Sequence, residues 1–199
     1  GFYHFQYQTN EAISFIEDVI QGPTHIIGHS DGGIIALMVA IQRPDLVKSI
    51  VPIGANYHFD CGLNLDTFPV VISEEDKDAF HERTGQPRDL WVEIVTKAHD
   101  VWKSEPRLRV KDLKLISAPT LVIAGDDEPF SNEHTVSLYE SIPNARLAIV
   151  PGTSHSVLSE KPHLIKAILK DFFRDHSYPL TRNPNRRREE TERILGTNL

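Results

Sequence analysis

Thr24-His25-Ile26-Ile27-Gly28-His29-Ser30-Asp31-Gly32-Gly33-Ile34-Ile35-Ala36-Leu37-Met38-Val39-Ala40-Ile41 is the stretch on which the fold turns. It opens on a short apolar, β-branched run, which predicts a parallel strand buried on both faces. It closes on residues that are apolar all round, which predict a buried helix packed on a sheet. The five residues between them read G-x-S-x-G. At a strand-to-helix turn that pattern is the signature of a nucleophile elbow, which holds its serine in a strained conformation with the hydroxyl above the sheet. Gly28 and Gly32 are then expected because a Cβ at either position would collide with neighbouring backbone. A tight turn that merely contains Ser30 is the plainer alternative, and the partners found downstream weigh against it.

Working outward, Thr9 or Asn10 is placed to cap a helix whose apolar positions Ala12, Ile13, Ile16, Val19 and Ile20 keep a helical period, with Gly22 and Pro23 ending it. Arg43-Pro44 closes the buried helix. Residues 49–53 and 119–124 read as further strands. Then come a helix over about 132–142 capped by Ser131, a strand over 145–150 and a helix over 160–174. Strands alternating with helices predict an α/β fold, a parallel sheet covered on both faces, with residues 1–176 as its core.

Between the second and third of these strands lies an insertion, about 56–117, that is helical by pattern. Ser73-x-x-Asp76 resembles a capping box, and Trp91, Ile94, Val95, Ala98 and Trp102 form one stripe. Packing is the simpler role for that stripe. The functional one is the underside of a lid over Ser30, supplying an apolar pocket. The tail, 177–199, is polar. Its Arg186-Arg187-Arg188 leads into Glu189, Glu190 and Glu192, mixed signs that favour a solvated or marginally helical segment over a nucleic-acid patch.

Composition narrows the class. The 199 residues, 40% hydrophobic and 25% charged, suffice for one domain with a sizeable core. A formal net charge of -7 argues against nucleic acid or an anionic membrane as the main partner. The single Cys61 excludes an internal disulfide and fits a reducing compartment, so the cytoplasm is the expected location. No apolar run approaches bilayer length. There is no H-E-x-x-H, C-x-x-C or Walker A pattern, so no metal or nucleotide cofactor is expected.

Serine needs a base, and the base needs an orienting acid. One candidate acid loop follows a strand, in Gly125-Asp126-Asp127-Glu128-Pro129-Phe130, and His155 follows the last strand. In a parallel sheet these strands end on one edge, so Ser30, the acid loop and His155 can meet there. His25, within a strand, and His29, within the elbow, are expected to be structural.

Three motifs, Gly-His-Ser-Asp-Gly-Gly at 28–33, Ala-Pro-Thr-Leu-Val-Ile-Ala-Gly at 118–125 and Pro-Gly-Thr-Ser-His-Ser at 151–156, make the chain resemble the α/β-hydrolase superfamily over about 10–174. The resemblance implies Ser30 as nucleophile, His155 as general base and the backbone N–H of Asp31 as an oxyanion donor. The family's acid sits three residues after the glycine. Here that is Glu128, where Asp is commoner, with Asp126 and Asp127 as adjacent rivals. A serine at the elbow implies a small-molecule ester, lactone, thioester or amide substrate, cleaved through an acyl-enzyme.

The resemblance also implies that the first four of eight core strands are missing, together with the loop that carries the second oxyanion donor. The elbow strand is therefore expected to have an unpaired edge, covered by those strands or by a partner. A non-catalytic hydrolase-like domain that binds a ligand or partner is the alternative reading.

Overall fold

The structure, a computed structural model, describes residues 3–63, 65 and 72–197. Its centre is a parallel sheet of β1 (Thr24–His29), β2 (Val47–Ile53), β3 (Thr120–Asp127) and β4 (Ala145–Ser154), in that spatial order. The period-2 alternation of strand side chains divides the core. Ile50 and Val122 face one layer, while Val51, Ile53, Leu121 and Ile123 face the other. The first layer is built from α1 (Phe5–Phe15), α2 (Asp31–Gln42) and α6 (Asn132–Ser141). The second comes from α7 (Val157–Glu160) and α8 (Pro162–Arg174), whose buried Ile165 and Phe172 each contribute about 1.5–3 kcal/mol of apolar burial.

Two expectations at the amino end are corrected. Neither Thr9 nor Asn10 caps the first helix: it begins at Phe5 with His4 as N-cap, and Thr9 lies inside it, its hydroxyl donating to the Phe5 carbonyl at 2.7 Å. Phe5 is 2% exposed among Ile34, Met38, Ala55 and Val101, so packing rather than cap chemistry sets the helix start. The helix widens into a π-turn over Ile16–Ile20 and ends on Gln21 at φ 59°, one residue before Gly22. Nor is β1 buried on both faces. Ile27 is 51% exposed, because the apolar cluster under α8 draws on β2, β3 and β4 and takes nothing from β1. Among the described residues β1 pairs with β2 alone, and a groove of about 540 Å³ lined by Phe15, Ile16, Ile20, Ile26 and Ile27 runs beside it.

At the other end, β3 and β4 run further than the apolar pattern alone suggests, and both carry site residues to the sheet edge. The last helix divides at Lys161, because Pro162 restricts the residue before it and starts α8 as an N1 proline.

The segment between β2 and β3 is helical, with α3 (Glu74–Thr84), α4 (Asp89–Trp102) and the short α5 (Val110–Leu113). Ser73 and Asp76 form the expected reciprocal capping box. The stripe of α4 is half-buried, Trp91 stacking on Phe80 with ring centres 5.5 Å apart. The capping Ser131 accepts the His134 N–H at 3.2 Å.

The tail is largely exposed and partly helical, as its charge pattern suggests, but it is also tied to the domain. It ends in α9 (Arg188–Leu195), and before it Arg186 donates to the carbonyls of Tyr139 and Ile142 at 3.0 and 2.9 Å, while Arg187 reaches that of Ala145 at 2.9 Å. Carbonyls of the last turn of α6, of Ile142 after it and of Ala145 at the start of β4 attract guanidinium donors, a pairing that local charge patterning cannot show.

Candidate active site

Ser30 joins β1 to α2 at φ 55° and ψ -123°, a backbone conformation that a non-glycine residue adopts only when its surroundings enforce it. Those surroundings are specific. The Ser30 N–H donates to the Ile53 carbonyl of β2 at 2.8 Å, and the Ser30 carbonyl accepts the Gly33 and Ile34 N–H groups at 2.8 and 3.2 Å. A Cβ on Gly28 would lie 2.0 Å from the Gly32 carbonyl oxygen, so that glycine is obligatory. The expectation for Gly32 is corrected: nothing lies within 4 Å of a Cβ placed there. The second tight approach belongs to Gly33, whose Cβ would stand 2.7 Å from that of Ala55.

The three distant segments meet at the carboxyl edge of the sheet. His155 Nε2 is 2.9 Å from Ser30 Oγ, and His155 Nδ1 is 2.6 Å from Glu128 Oε2. The carboxylate can only accept, so Nδ1 carries the proton there and Nε2 is left to accept from the serine hydroxyl. Glu128 is fully buried and its second oxygen accepts the Gly125 N–H at 3.0 Å, while His155 keeps 28% of its side chain exposed.

The rivals lie elsewhere. Asp126 accepts the Thr153 N–H at 3.1 Å, and the Gly152 and Thr153 amides hold its carboxyl below the usual range. Asp127 is exposed, level with Ser154 on β4. Gly54, at φ 55°, closes the floor: a Cβ there would come 3.0 Å from His155 Nδ1 and 3.2 Å from Glu128 Oε1.

Asp31 opens α2, so its backbone N–H is among the helix's first, which lack intrahelical partners. Its side chain does something the sequence did not suggest. Both carboxylate oxygens face Trp102 Nε1, at 3.0 and 3.1 Å, fastening the end of α4 to the elbow. Burial pushes the Asp31 carboxyl up from its ordinary value, against the Trp102 hydrogen bond and the charge of His155, which hold it down. His29 donates its Nε2–H to the His155 carbonyl, 2.8 Å away, and so steadies the loop that carries His155. His25 is occupied with Ser49 Oγ at 2.7 Å. Cys61 is a buried free thiol that burial pushes up.

Ser30 and His155 open into a cavity of about 260 Å³, walled by Leu63, Trp102, Pro129 and Phe130 with Asp31, Asn56 and Glu105 at its polar points. Of these, Trp102 is marked by the helical stripe and Asp31 by the elbow motif. The others come from loops and helix ends, whose convergence no local periodicity announces. Among the described residues no helix is long and apolar enough to cross a membrane.

Comparison with known proteins bears on this arrangement. The uncharacterized hydrolase YugF of Bacillus subtilis (strain 168) is 25% identical over 199 aligned residues, covering 86% of this chain and 73% of its own. The serine hydrolase BPHL of Mus musculus is 20% identical, over 84% of this chain and 60% of its own. Among solved structures, the CarC serine hydrolase involved in carbazole degradation superimposes with a TM-score of 0.66 at 20% identity, covering 86% of this chain and 72% of its own. A structure from work on carboxylesterases of Nitrososphaera gargenis gives 0.65 at 22% identity, with the same coverage. At such identities the superpositions speak for the fold alone. The sequence model of the α/β hydrolase family, however, matches residues 2–168, and with the parallel sheet and its strand-to-helix serine turn this makes the chain a member of that family.

Proposed function

We propose that this protein is a serine hydrolase that cleaves a small carboxylic ester or related acyl compound through an acyl-enzyme. The observation that carries the reading is the continuous hydrogen-bonded line from Ser30 Oγ through His155 to the buried Glu128, opening into a cavity. Ser30 Oγ attacks the substrate carbonyl carbon, and its proton passes to His155 Nε2. Glu128 fixes the tautomer and stabilises the imidazolium that results. The Asp31 N–H donates to the oxyanion, a contact of the kind worth about 10²–10³ in rate. His155 then returns the proton to the leaving group, and water repeats the sequence against the acyl-serine. In this reading α4 is part of a lid, held over the elbow by the Asp31–Trp102 hydrogen bond.

A fluorophosphonate probe tests the proposal. Labelling is expected at Ser30, with loss of both labelling and nitrophenyl-ester turnover in Ser30→Ala. Failure to label Ser30 in folded protein would overturn it and leave the non-catalytic reading in place.

A further inference from the structure

We infer that the cavity beside Ser30 selects uncharged or cationic acyl groups and turns away anionic ones, with Asp31 and Glu105 as the specificity-determining residues. This rests on the hydrolase reading and adds the substrate's charge class to it. The cavity walls are apolar, but the lining carries two carboxylates and, among the described residues, no lysine or arginine. Among the described residues Asp31 meets a single side-chain donor, the Trp102 N–H, which its two oxygens share at 3.0 and 3.1 Å. A carboxylate offers about four lone-pair sites, so most of its accepting capacity is unspent by that bond.

Glu105 holds the Phe5 N–H at 3.1 Å through one oxygen and faces His4 Nδ1 at 2.7 Å through the other. Among the described residues His4 is its one side-chain ion-pair partner and carries charge only when protonated. Asn56, an uncharged group, commits one of its two amide N–H donors to the His58 carbonyl at 2.9 Å. The cation in the neighbouring cavity, Lys103, pairs with Asp100 at 2.8 Å.

A carboxylate on the acyl chain would therefore enter a space of about 260 Å³ against two like charges with no lysine or arginine among the described residues of the wall. At a separation of about 6 Å and an effective dielectric constant of about 20, one such repulsion amounts to roughly 100-fold in the ratio of two substrates. His4 offsets part of it, so tenfold is the floor. An apolar chain loses nothing, and a terminal ammonium gains an acceptor at Asp31 and a face at Trp102.

The test compares para-nitrophenyl valerate, the adipate monoester and the valerate bearing a terminal trimethylammonium group, with spontaneous hydrolysis subtracted. Expected is a kcat/KM at least tenfold lower for the adipate monoester than for either of the others. Asp31→Asn and Glu105→Gln should each bring that ratio closer to one. Each ratio is internal to one protein, so a general loss of activity in a variant does not disguise the result. Equal turnover of valerate and adipate by the wild type, or a ratio unmoved in both variants, would overturn the inference while leaving the hydrolase reading intact. Turnover of none of the three, with Ser30 unlabelled by fluorophosphonate, would instead overturn the reading beneath it.

Discussion

Replacing Glu128 by Gln removes one charge from the site and almost no volume. Two contacts decide the consequence. The Gly125 N–H, 3.0 Å from Oε1, still requires an acceptor, so the amide oxygen stays there. The amide NH₂ then takes the place of Oε2, 2.6 Å from His155 Nδ1. Because it can only donate, Nδ1 must become the acceptor, and the ring proton moves to Nε2, where it points at Ser30 Oγ 2.9 Å away. The imidazole can no longer take the serine proton. In enzymes built on a Ser-His-Asp relay the same change lowers turnover by about 10⁴, or about 5.5 kcal/mol at about 1.36 kcal/mol per decade. We expect a fall of about 10³–10⁴ in kcat on a nitrophenyl ester, and matching slow labelling by fluorophosphonate. The urea midpoint serves as control for folding. Asp126→Asn and Asp127→Asn are the decisive comparisons. Asp126→Asn keeps one side-chain oxygen to accept the Thr153 N–H and Asp127 faces solvent, so each variant should keep turnover within about tenfold of wild type. A Glu128→Gln variant as active as wild type, or an Asp127→Asn variant as inactive as Glu128→Gln, would refute the assignment of the acid.

Other perturbations follow from the same geometry. Gly28→Ala should cost about 3 kcal/mol or more in chemical denaturation, given a Cβ 2.0 Å from the Gly32 oxygen, whereas Gly32→Ala should be neutral or stabilising by up to about 1 kcal/mol; equal losses would refute the packing argument. His134, stacked on Tyr57 and accepting its N–H at 3.1 Å, is pushed down to about 4 by burial first and by the charge of His58 second. Its folded value lies below the ordinary 6.5, so the unfolded chain binds the extra proton and stability is lost as pH falls from about 6.5 through about 4. The full loss is about 3 kcal/mol at about 1.36 kcal/mol per unit, and urea midpoints at both ends of that window should show it shrinking in His134→Gln; an unchanged difference would refute it. Arg186→Ala removes the donor to the Tyr139 and Ile142 carbonyls and the guanidinium stacked 4.3 Å over the Tyr139 ring. It should cost about 1–3 kcal/mol and expose the segment after Ser177 to limited proteolysis; a cleavage pattern identical to wild type would show that the tail is held otherwise.

What was legible in the sequence divides along a physical line. The elbow, the strand-helix alternation, the Ser131 cap and the Ser73–Asp76 box are local: each is written in residues a turn or a strand apart, and each appears in the structure. Glu128 is preferred over Asp126 and Asp127 on register alone, because the family's acid sits three residues after the glycine, here Gly125, and it is Glu128 that stands 2.6 Å from His155 Nδ1. The misses are tertiary. Helix α1 starts at Phe5 because Phe5 packs on α2 and α4, and Arg186 meets the carbonyls at the end of α6 across more than forty residues of chain. The Asp31–Trp102 bond spans 71 positions and depends on how the helical segment folds back over the sheet. Even the glycine error has this form. The pattern weights Gly32, but the pressure falls on Gly33, because the neighbour it must avoid is Ala55 beyond the end of β2.

The way the site hangs on the sheet explains how strain at Ser30 can coexist with a half-bare β1. A residue at φ 55° and ψ -123° costs about 1–3 kcal/mol and survives only where other contacts over-determine it. Those contacts come from inside the molecule rather than from the open edge. β2 holds the Ser30 N–H through Ile53, α2 holds its carbonyl, and the fully buried Ala36, Leu37 and Val39 anchor α2 on the sheet. Glu128 hangs from the end of the interior strand β3 and His155 from the end of β4, which packs Val150 into the core under α8, with Gly54 of the β2 end packed beneath them. β1 thus delivers the serine, but its position is enforced by β2 and α2. Fraying of β1, which among the described residues pairs with β2 alone, would reach His25 and Ile27 first. The distance between Ser30 and His155 would answer instead to β2 and β3, paired on both sides, and to β4, held by β3 on one side and by the packing of Val150 and Val157.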